Sequence, residues 1–331
     1  LYAEAVRVLS AAGTAVVAAA GNAGPVNYIV GAPSTSEDAI SVAASVDGSF
    51  TNWKYAASEL TLPSGSMVVK AVEGSISKPV TQADGVHGKL VSIGLADLPL
   101  SEAVAAELKG KVALIMRGGI PFAQKLKLAF DNGAIGAIVM NNQPGSPIAM
   151  GGEGHFNIPA IMVGLEIGQK IVAEMQTGDV SVVFKTALRI EQPSRIDTIT
   201  SFSSKGPRSE DVLIKPEIAA PGENVLSADM GSGTSGVRLN GTSMATPHLA
   251  GVVALLRQAR PELSVKELKA LMMNNTLSLT DENKDVYPIS RQGAGRVQIP
   301  QSLAADSVAT ASFSLGLIQT SSPKRITKMM K

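Results

Sequence analysis

The run Thr14-Ala15-Val16-Val17-Ala18-Ala19-Ala20 constrains the chain more than any other stretch. Small and β-branched residues in unbroken succession leave no polar face, so a strand built from them has to be covered on both sides. The middle of a parallel sheet between helical layers meets that condition. Upstream, Ala5, Val8, Leu9 and Ala12 fall on one helical face, and Gly13 supplies a left-handed stop. Downstream, Gly21-Asn22-Ala23-Gly24-Pro25 ends the strand. The expectation is an α/β fold with this strand at its centre, and chemistry in the loop beyond the strand's carboxyl end.

A second stretch, Asn240-Gly241-Thr242-Ser243-Met244-Ala245-Thr246-Pro247-His248-Leu249-Ala250-Gly251 followed by Val252 to Leu256, reads as a glycine-hinged turn entering a buried helix. First-turn N–H groups of a helix have no partner within it, so Ser243 offers both a hydroxyl and a free N–H at one place. Pro247 is expected within the first turn, where its missing N–H costs little. Gly-Thr-Ser alone is better explained as a helix cap.

The whole run resembles the nucleophile motif of the subtilisin-like serine peptidases (subtilases), Gly-Thr-Ser-Met-Ala-x-Pro-His-x-x-Gly before a small apolar helix. That resemblance implies that Ser243 is the nucleophile. It also implies that Asn22, in Ala19-Ala20-Gly21-Asn22, donates to the oxyanion together with the Ser243 N–H. Ala19, Ala20 and Gly21 would bind substrate, lining one wall of the pocket before the scissile bond, with Thr242 supporting the oxyanion site. Ser201-Phe202-Ser203-Ser204-Lys205-Gly206-Pro207 and Lys215-Pro216-Glu217-Ile218-Ala219-Ala220-Pro221-Gly222 resemble subtilase segments leading into the nucleophile, and structural roles are expected of them.

Between residues 59 and 186 the texture changes to short strands, among them Val112 to Met116 and Ser181 to Phe184. One helix, Phe122 to about Asn132, is expected to turn Phe122, Leu126, Ala129 and Phe130 inward. Gly110 to Gly118, Asn132-Gly133-Ala134, Asn141-Asn142 and Ile158-Pro159-Ala160 together resemble a protease-associated (PA) domain. The implied architecture is a subtilisin-like parallel-sheet three-layer core, incomplete, in segments 1–58 and 187–308, interrupted by an inserted α+β, β-rich PA domain at 59–186. Ser264 and Glu267 make a capping box for a helix that buries Leu268, Leu271 and Met272. Alternation at Ala311, Phe313, Leu315 and Leu317 marks 309–331 as the start of a truncated downstream β domain.

Subtilases order their functional groups Asp, His, Asn, Ser, and only the last two motifs occur here. His248 lies five residues after Ser243, roughly 140° around the helix, and is expected to be a packed core histidine. His87 and His155 fall in the insert as surface residues. The triad Asp and His are therefore expected outside this chain, in a missing N-terminal part of the same protein. The sequence predicts a serine endopeptidase acting on polypeptides, with residues 1–331 inactive alone. Its alternative is a non-catalytic pseudo-peptidase scaffold whose PA domain binds protein. A serine-carboxyl peptidase, which has an acidic oxyanion residue, is disfavoured by Asn22.

Composition removes other classes. With 331 residues, about two domains are expected. Cysteine is absent, which excludes thiol chemistry and Cys-ligated zinc. The balance of 29 Lys and Arg against 28 Asp and Glu gives no field to attract nucleic acid. No apolar run is long enough to span a membrane. No cofactor is identifiable. The resemblance allows a structural calcium ion, but no Asp-rich loop has the spacing to hold one. It also implies secretion or cell-envelope attachment.

Overall fold

The computed structural model describes residues 2–49, 53–83, 85–144, 147–312 and 314. They form two compact units, the first drawn from residues 1–48, 194–223 and 241 onward, the second from 49–193 and 224–240. In chain order the first unit opens with α1 (Tyr2–Ala11), β1 (Val17–Ala19) and β2 (Ile40–Ser45). The second follows with β3 (Lys54–Leu62), β4 (Gly65–Glu73), β5 (Ser77–Lys78), β6 (His87–Ser92), α2 (Glu102–Leu108), β7 (Val112–Met116), α3 (Phe122–Asp131), β8 (Gly136–Met140), β9 (Phe156–Val163), α4 (Leu165–Met175) and β10 (Ser181–Glu191). The chain returns to the first unit for β11 (Ile218–Pro221). It then makes a hairpin of the second unit, β12 (Val225–Ala228) and β13 (Gly236–Leu239). It ends in the first unit with α5 (Thr242–Ala259), α6 (Val265–Asn274), β14 (Thr276–Leu277), α7 (Ile289–Gln292), β15 (Arg296–Val297) and α8 (Ile299–Ala304).

The first unit's sheet has the order β1-β2-β11-β15-β14, parallel except at β14. Ile40 to Ser45 is buried at every position, so β2 meets the condition for a central strand. α5 packs on this sheet through Thr242, Ala245, Leu249, Val252, Val253 and Leu256, a helical spacing in which each large apolar side chain contributes about 1.5–3 kcal/mol. α6 begins at the expected capping box of Ser264 and Glu267 and buries Leu268, Leu271 and Met272.

β1 is three residues long, pairs only with β2, and is an edge strand of the described sheet rather than its centre. The apolar stripe of α1 is solvent-exposed at Ala5, Val8, Leu9 and Ala12, and its buried contact is Val6. No described strand pairs with the other edge of β1, and no described element covers the α1 stripe. Periodicity marks an apolar face without saying what lies against it.

Charged groups are built into this unit's interior. Arg195 and Glu223 form a bidentate pair at 2.9 Å, both side chains almost wholly buried. Glu217 is 1% exposed and pairs with buried Lys215 at 3.1 Å and with Lys269, while its other oxygen accepts the N–H of Ser41 at 2.9 Å. Burial lowers Lys215 to about 8, partly offset by Glu217.

The second unit's sheet runs β4-β3-β10-β6-β7-β8-β9-β5, and β4 also pairs with β9, so the sheet curls back on itself. Strands β6 to β9 are parallel, and β10 joins them antiparallel to β6. Leu60, Leu114, Ile138, Ile161 and Phe184 meet in its core. The unit is wider than the 59–186 expected for the insert. β3 already pairs with β10 from Lys54 to Glu191, and the β12–β13 hairpin belongs with it. In α3, Leu126 and Ala129 are buried as expected and Phe122 is half-buried. Phe130 faces solvent beside the ring of Phe156, and Lys125 takes the interior place. Residues 309–312 are not in a strand, and Phe313, Leu315 and Leu317 lie outside the described residues.

Candidate active site

Gly241 caps α5 with φ +153° and ψ 158°, a conformation that side chains disfavour, and its N–H donates to Gly222 O at 2.8 Å. A Cβ on Gly222 would stand 2.6 Å from Ala44 Cβ and 2.7 Å from Gly241 O. Glycine at 222 therefore lets the turn before α5 lie directly on β2 and β11. Ser243 follows as the second helical residue, exposed at the surface. Its N–H has no acceptor among the described residues, as expected for a first-turn position.

Asn22 reaches this turn from the end of β1. Its Oδ1 accepts from Thr242 N at 2.9 Å and from Thr242 Oγ1 at 3.1 Å. Both available hydrogens thus face the carboxamide oxygen, which turns Nδ2 the other way. A Cβ on Gly241 would lie 3.4 Å from Asn22 Nδ2 and 3.4 Å from Ser243 N, so the two donors converge beside the turn. Neither donor has an acceptor among the described residues. The pair can stabilise a negatively charged oxygen next to the Ser243 hydroxyl.

Thr242 is fully buried and holds the loop as well, since its Oγ1 accepts the N–H of Gly21 at 3.1 Å. Ser204, expected from its segment to be structural, holds the loop from the other side. Its Oγ accepts Ala23 N at 3.1 Å, and its N–H donates to Gly21 O at 2.9 Å, so both sides of Asn22 are fixed. Of the three expected wall residues, Ala20 is completely buried and its backbone is spent on Val42 O and Gly31 N. Ala19 and Gly21 retain partial exposure.

Pro247 is the sixth residue of α5, one turn deeper than expected, so no proline N–H reaches back to Ser243 O. His248 is exposed, not packed in the core, because it shares the uncovered side of α5 with Gly251 and Leu255. His87 and His155 are exposed in the second unit. No histidine or carboxylate is hydrogen-bonded to Ser243 among the described residues. The same residues contain no group of three or more His, Asp or Glu side chains placed to hold a metal ion. No described helix is long and apolar enough to cross a membrane.

Comparison with known proteins matches residues 2–295 to the subtilase family, Peptidase_S8. The minor extracellular protease Vpr of Bacillus subtilis (strain 168) is 35% identical over 314 residues, covering 92% of this chain and 37% of Vpr. A PII-type proteinase of Lacticaseibacillus paracasei is 29% identical over 342 residues, covering 91% of this chain and 18% of its own length. Among solved structures, the subtilisin-like protease Apa1 of Pseudoalteromonas sp. AS-11 aligns with 91% of this chain and 66% of its own, at 18% identity and a TM-score of 0.33. The chain thus spans a little over a third of Vpr and less than a fifth of the proteinase.

Proposed function

The chain belongs to the subtilase family, and on that premise we propose that it carries the nucleophile and oxyanion site of a secreted serine endopeptidase. One observation carries the reading: two unpartnered N–H donors, Asn22 Nδ2 and Ser243 N, converge beside the Ser243 hydroxyl. In the proposed mechanism Ser243 Oγ attacks a peptide carbonyl, and the bond between carbonyl carbon and amide nitrogen breaks. The amine leaves with the proton passed on by a general base, and water then cleaves the acyl ester. Asn22 and the Ser243 N–H hold the oxyanion, Thr242 keeps the carboxamide in place, and Ala19 and Gly21 line the substrate cleft.

The base and its carboxylate are supplied by a part of the protein outside these residues. Exposed apolar and edge positions of the first unit support this: Val8 and Leu9 of α1, β1 at the edge of the described sheet, and Gly251 and Leu255 of α5. We assign the second unit to the PA type and to contact with polypeptide substrates. That no base is hydrogen-bonded to Ser243 among the described residues favours a second reading, a non-catalytic scaffold.

A serine-directed phosphonate applied to the full-length protein separates the two. On the peptidase reading it labels Ser243, Ser243→Ala abolishes labelling, and Asn22→Ala slows it by about 10²–10³, the loss seen for the corresponding donor in subtilisin. Residues 1–331 alone label at background, since removing the base in subtilisin costs about 10⁶. A folded full-length protein that is never labelled establishes the scaffold. Peptide turnover by residues 1–331, lost in Ser243→Ala, places the base within them and overturns the proposed division.

A further inference from the structure

In the second unit, the loops after β6, β7 and β8 gather hydrogen-bond donors that have no acidic partner. Arg117 follows β7 directly. Its N–H donates to Met140 O at 3.0 Å, and its Nη1 donates to Asn141 Oδ1 at 2.8 Å. The same Asn141 oxygen takes the N–H of Asn142 at 3.0 Å, so a side chain only 1% exposed has its acceptor engaged and Nδ2 left as a donor. Asn142 Nδ2 lies 3.3 Å from where a Cβ on Gly118 would be. Gly118 and Gly119 both have positive φ, and their N–H groups have no acceptor among the described residues. No described carboxylate forms an ion pair with Arg117, whose guanidinium is partly buried.

Asp97 is the acid near this place, 3.6 Å from where a Cβ on Gly119 would be, and it acts on the buried Lys125, whose Nζ donates to Leu95 O. Around the donors the surface is apolar. Leu95, Leu98 and Met116 are exposed, and Leu95 Cδ2 would lie 3.7 Å from a Cβ on Gly118. A guanidinium with free forked donors suits a carboxylate, and the carboxyl ends of parallel strands are where open α/β sheets bind ligands.

We propose that Arg117, Asn141 and Asn142 bind the C-terminal carboxylate of a peptide whose last side chain is apolar. In such a residue the carboxylate and the side chain branch from one carbon. One end of a peptide can then meet the donors and the Leu95, Leu98 and Met116 surface together. A Glu side chain within a peptide would bring flanking backbone on both sides. The site lies wholly in the second unit and stands whether or not Ser243 is catalytic.

The test uses residues 1–331 carrying Ser243→Ala and a fluorescein-labelled peptide ending in Ala-Leu, read by fluorescence anisotropy. The free acid binds about 10- to 100-fold more tightly than its C-terminal amide, the range for hydrogen bonds to a charged group. An amidated peptide with an internal Glu binds as weakly as the plain amide. Arg117→Met removes the preference for the acid, and Arg117→Lys keeps part of it. If Arg117→Met fails to fold, Asn142→Asp, at an exposed position, repels the acid by at least about tenfold and leaves the amide unaffected. Equal binding of acid and amide, no binding of either, binding of the internal-Glu peptide as tight as the acid, or an unchanged preference in Asn142→Asp overturns the proposal.

Discussion

Replacing Glu217 by Gln exposes how the first unit keeps two lysines inside. The carboxylate faces Lys215 at 3.1 Å and Lys269, and its other oxygen takes the Ser41 N–H, a bond that the Gln carbonyl can retain. The change therefore removes charge more than shape. Lys215 has a way out, because burial already lowers it to about 8 in the folded protein. It can shed its proton, so its added cost at pH 7 is capped by one pH unit, about 1.4 kcal/mol. Lys269 adds the loss of a charge-assisted contact, about 1.5–3 kcal/mol. The sum near pH 7 is about 3–4 kcal/mol, within the range for breaking a buried pair by removing one partner, and corresponds to a fall in Tm of roughly 6–16 °C.

The pH dependence is more telling than the size. A lysine whose folded value lies below its unfolded one binds more protons when unfolded, so in the wild-type chain stability rises with pH between about 8 and 10.5. Glu217→Gln takes away the group that raises Lys215, so the window extends to lower pH. At pH 6 the Lys215 cost reaches up to about 3 kcal/mol, and at pH 9 it vanishes. Urea unfolding of residues 1–331 at pH 6, 7.5 and 9 reads the difference. A deficit that is constant across this range, or that grows with pH, refutes the reasoning.

Two further outcomes follow from the same interior. Gly241→Ala places a methyl 3.4 Å from both proposed oxyanion donors at φ +153°, so phosphonate labelling of the full-length protein falls by more than tenfold while unfolding shifts by only about 1–3 kcal/mol; unimpaired labelling contradicts the site geometry. Arg195→Met leaves Glu223 buried without its bidentate partner and costs about 3–5 kcal/mol, whereas Arg195→Met with Glu223→Leu recovers much of that loss in calorimetry.

What could be read from the sequence followed the range of the contacts. The turn from Gly241 to Ser243 is local, and its glycine, exposed serine and buried helix face all appear as read. The capping box at Ser264 is equally local. What failed depended on a neighbour that a periodic pattern does not name. Thr14 to Ala20 has the composition of a covered strand, but β1 lies at an edge. The α1 stripe and His248 are both exposed to solvent. Lys125 inside and Phe130 outside reverse a hydrophobic ranking because a lysine stem packs like an apolar chain when its Nζ finds a carbonyl. The β12–β13 hairpin joins the second unit through contacts such as Asn240 Nδ2 to Ala149 O at 2.8 Å, between residues far apart in sequence.

The proposed oxyanion site lies between these cases. Family resemblance supplied Asn22 and Ser243, but the direction of the Asn22 carboxamide depends on Thr242, 220 residues away. A backbone N–H can only donate, so Thr242 N fixes Oδ1 on its own side. Thr242 Oγ1 spends its lone pair on Gly21 N and its hydrogen on the same Oδ1. Turning the carboxamide over would set an NH₂ group against a backbone N–H and force the hydroxyl to change roles, leaving a buried donor unpaired at a cost of about 1–3 kcal/mol. That penalty, rather than contact at Nδ2 itself, keeps the donor aimed beside Ser243. A valine at 242 would retain the backbone N–H while losing the hydroxyl's contacts to both Asn22 and Gly21, so the buried threonine is the residue through which the loop and the helix start are held in register.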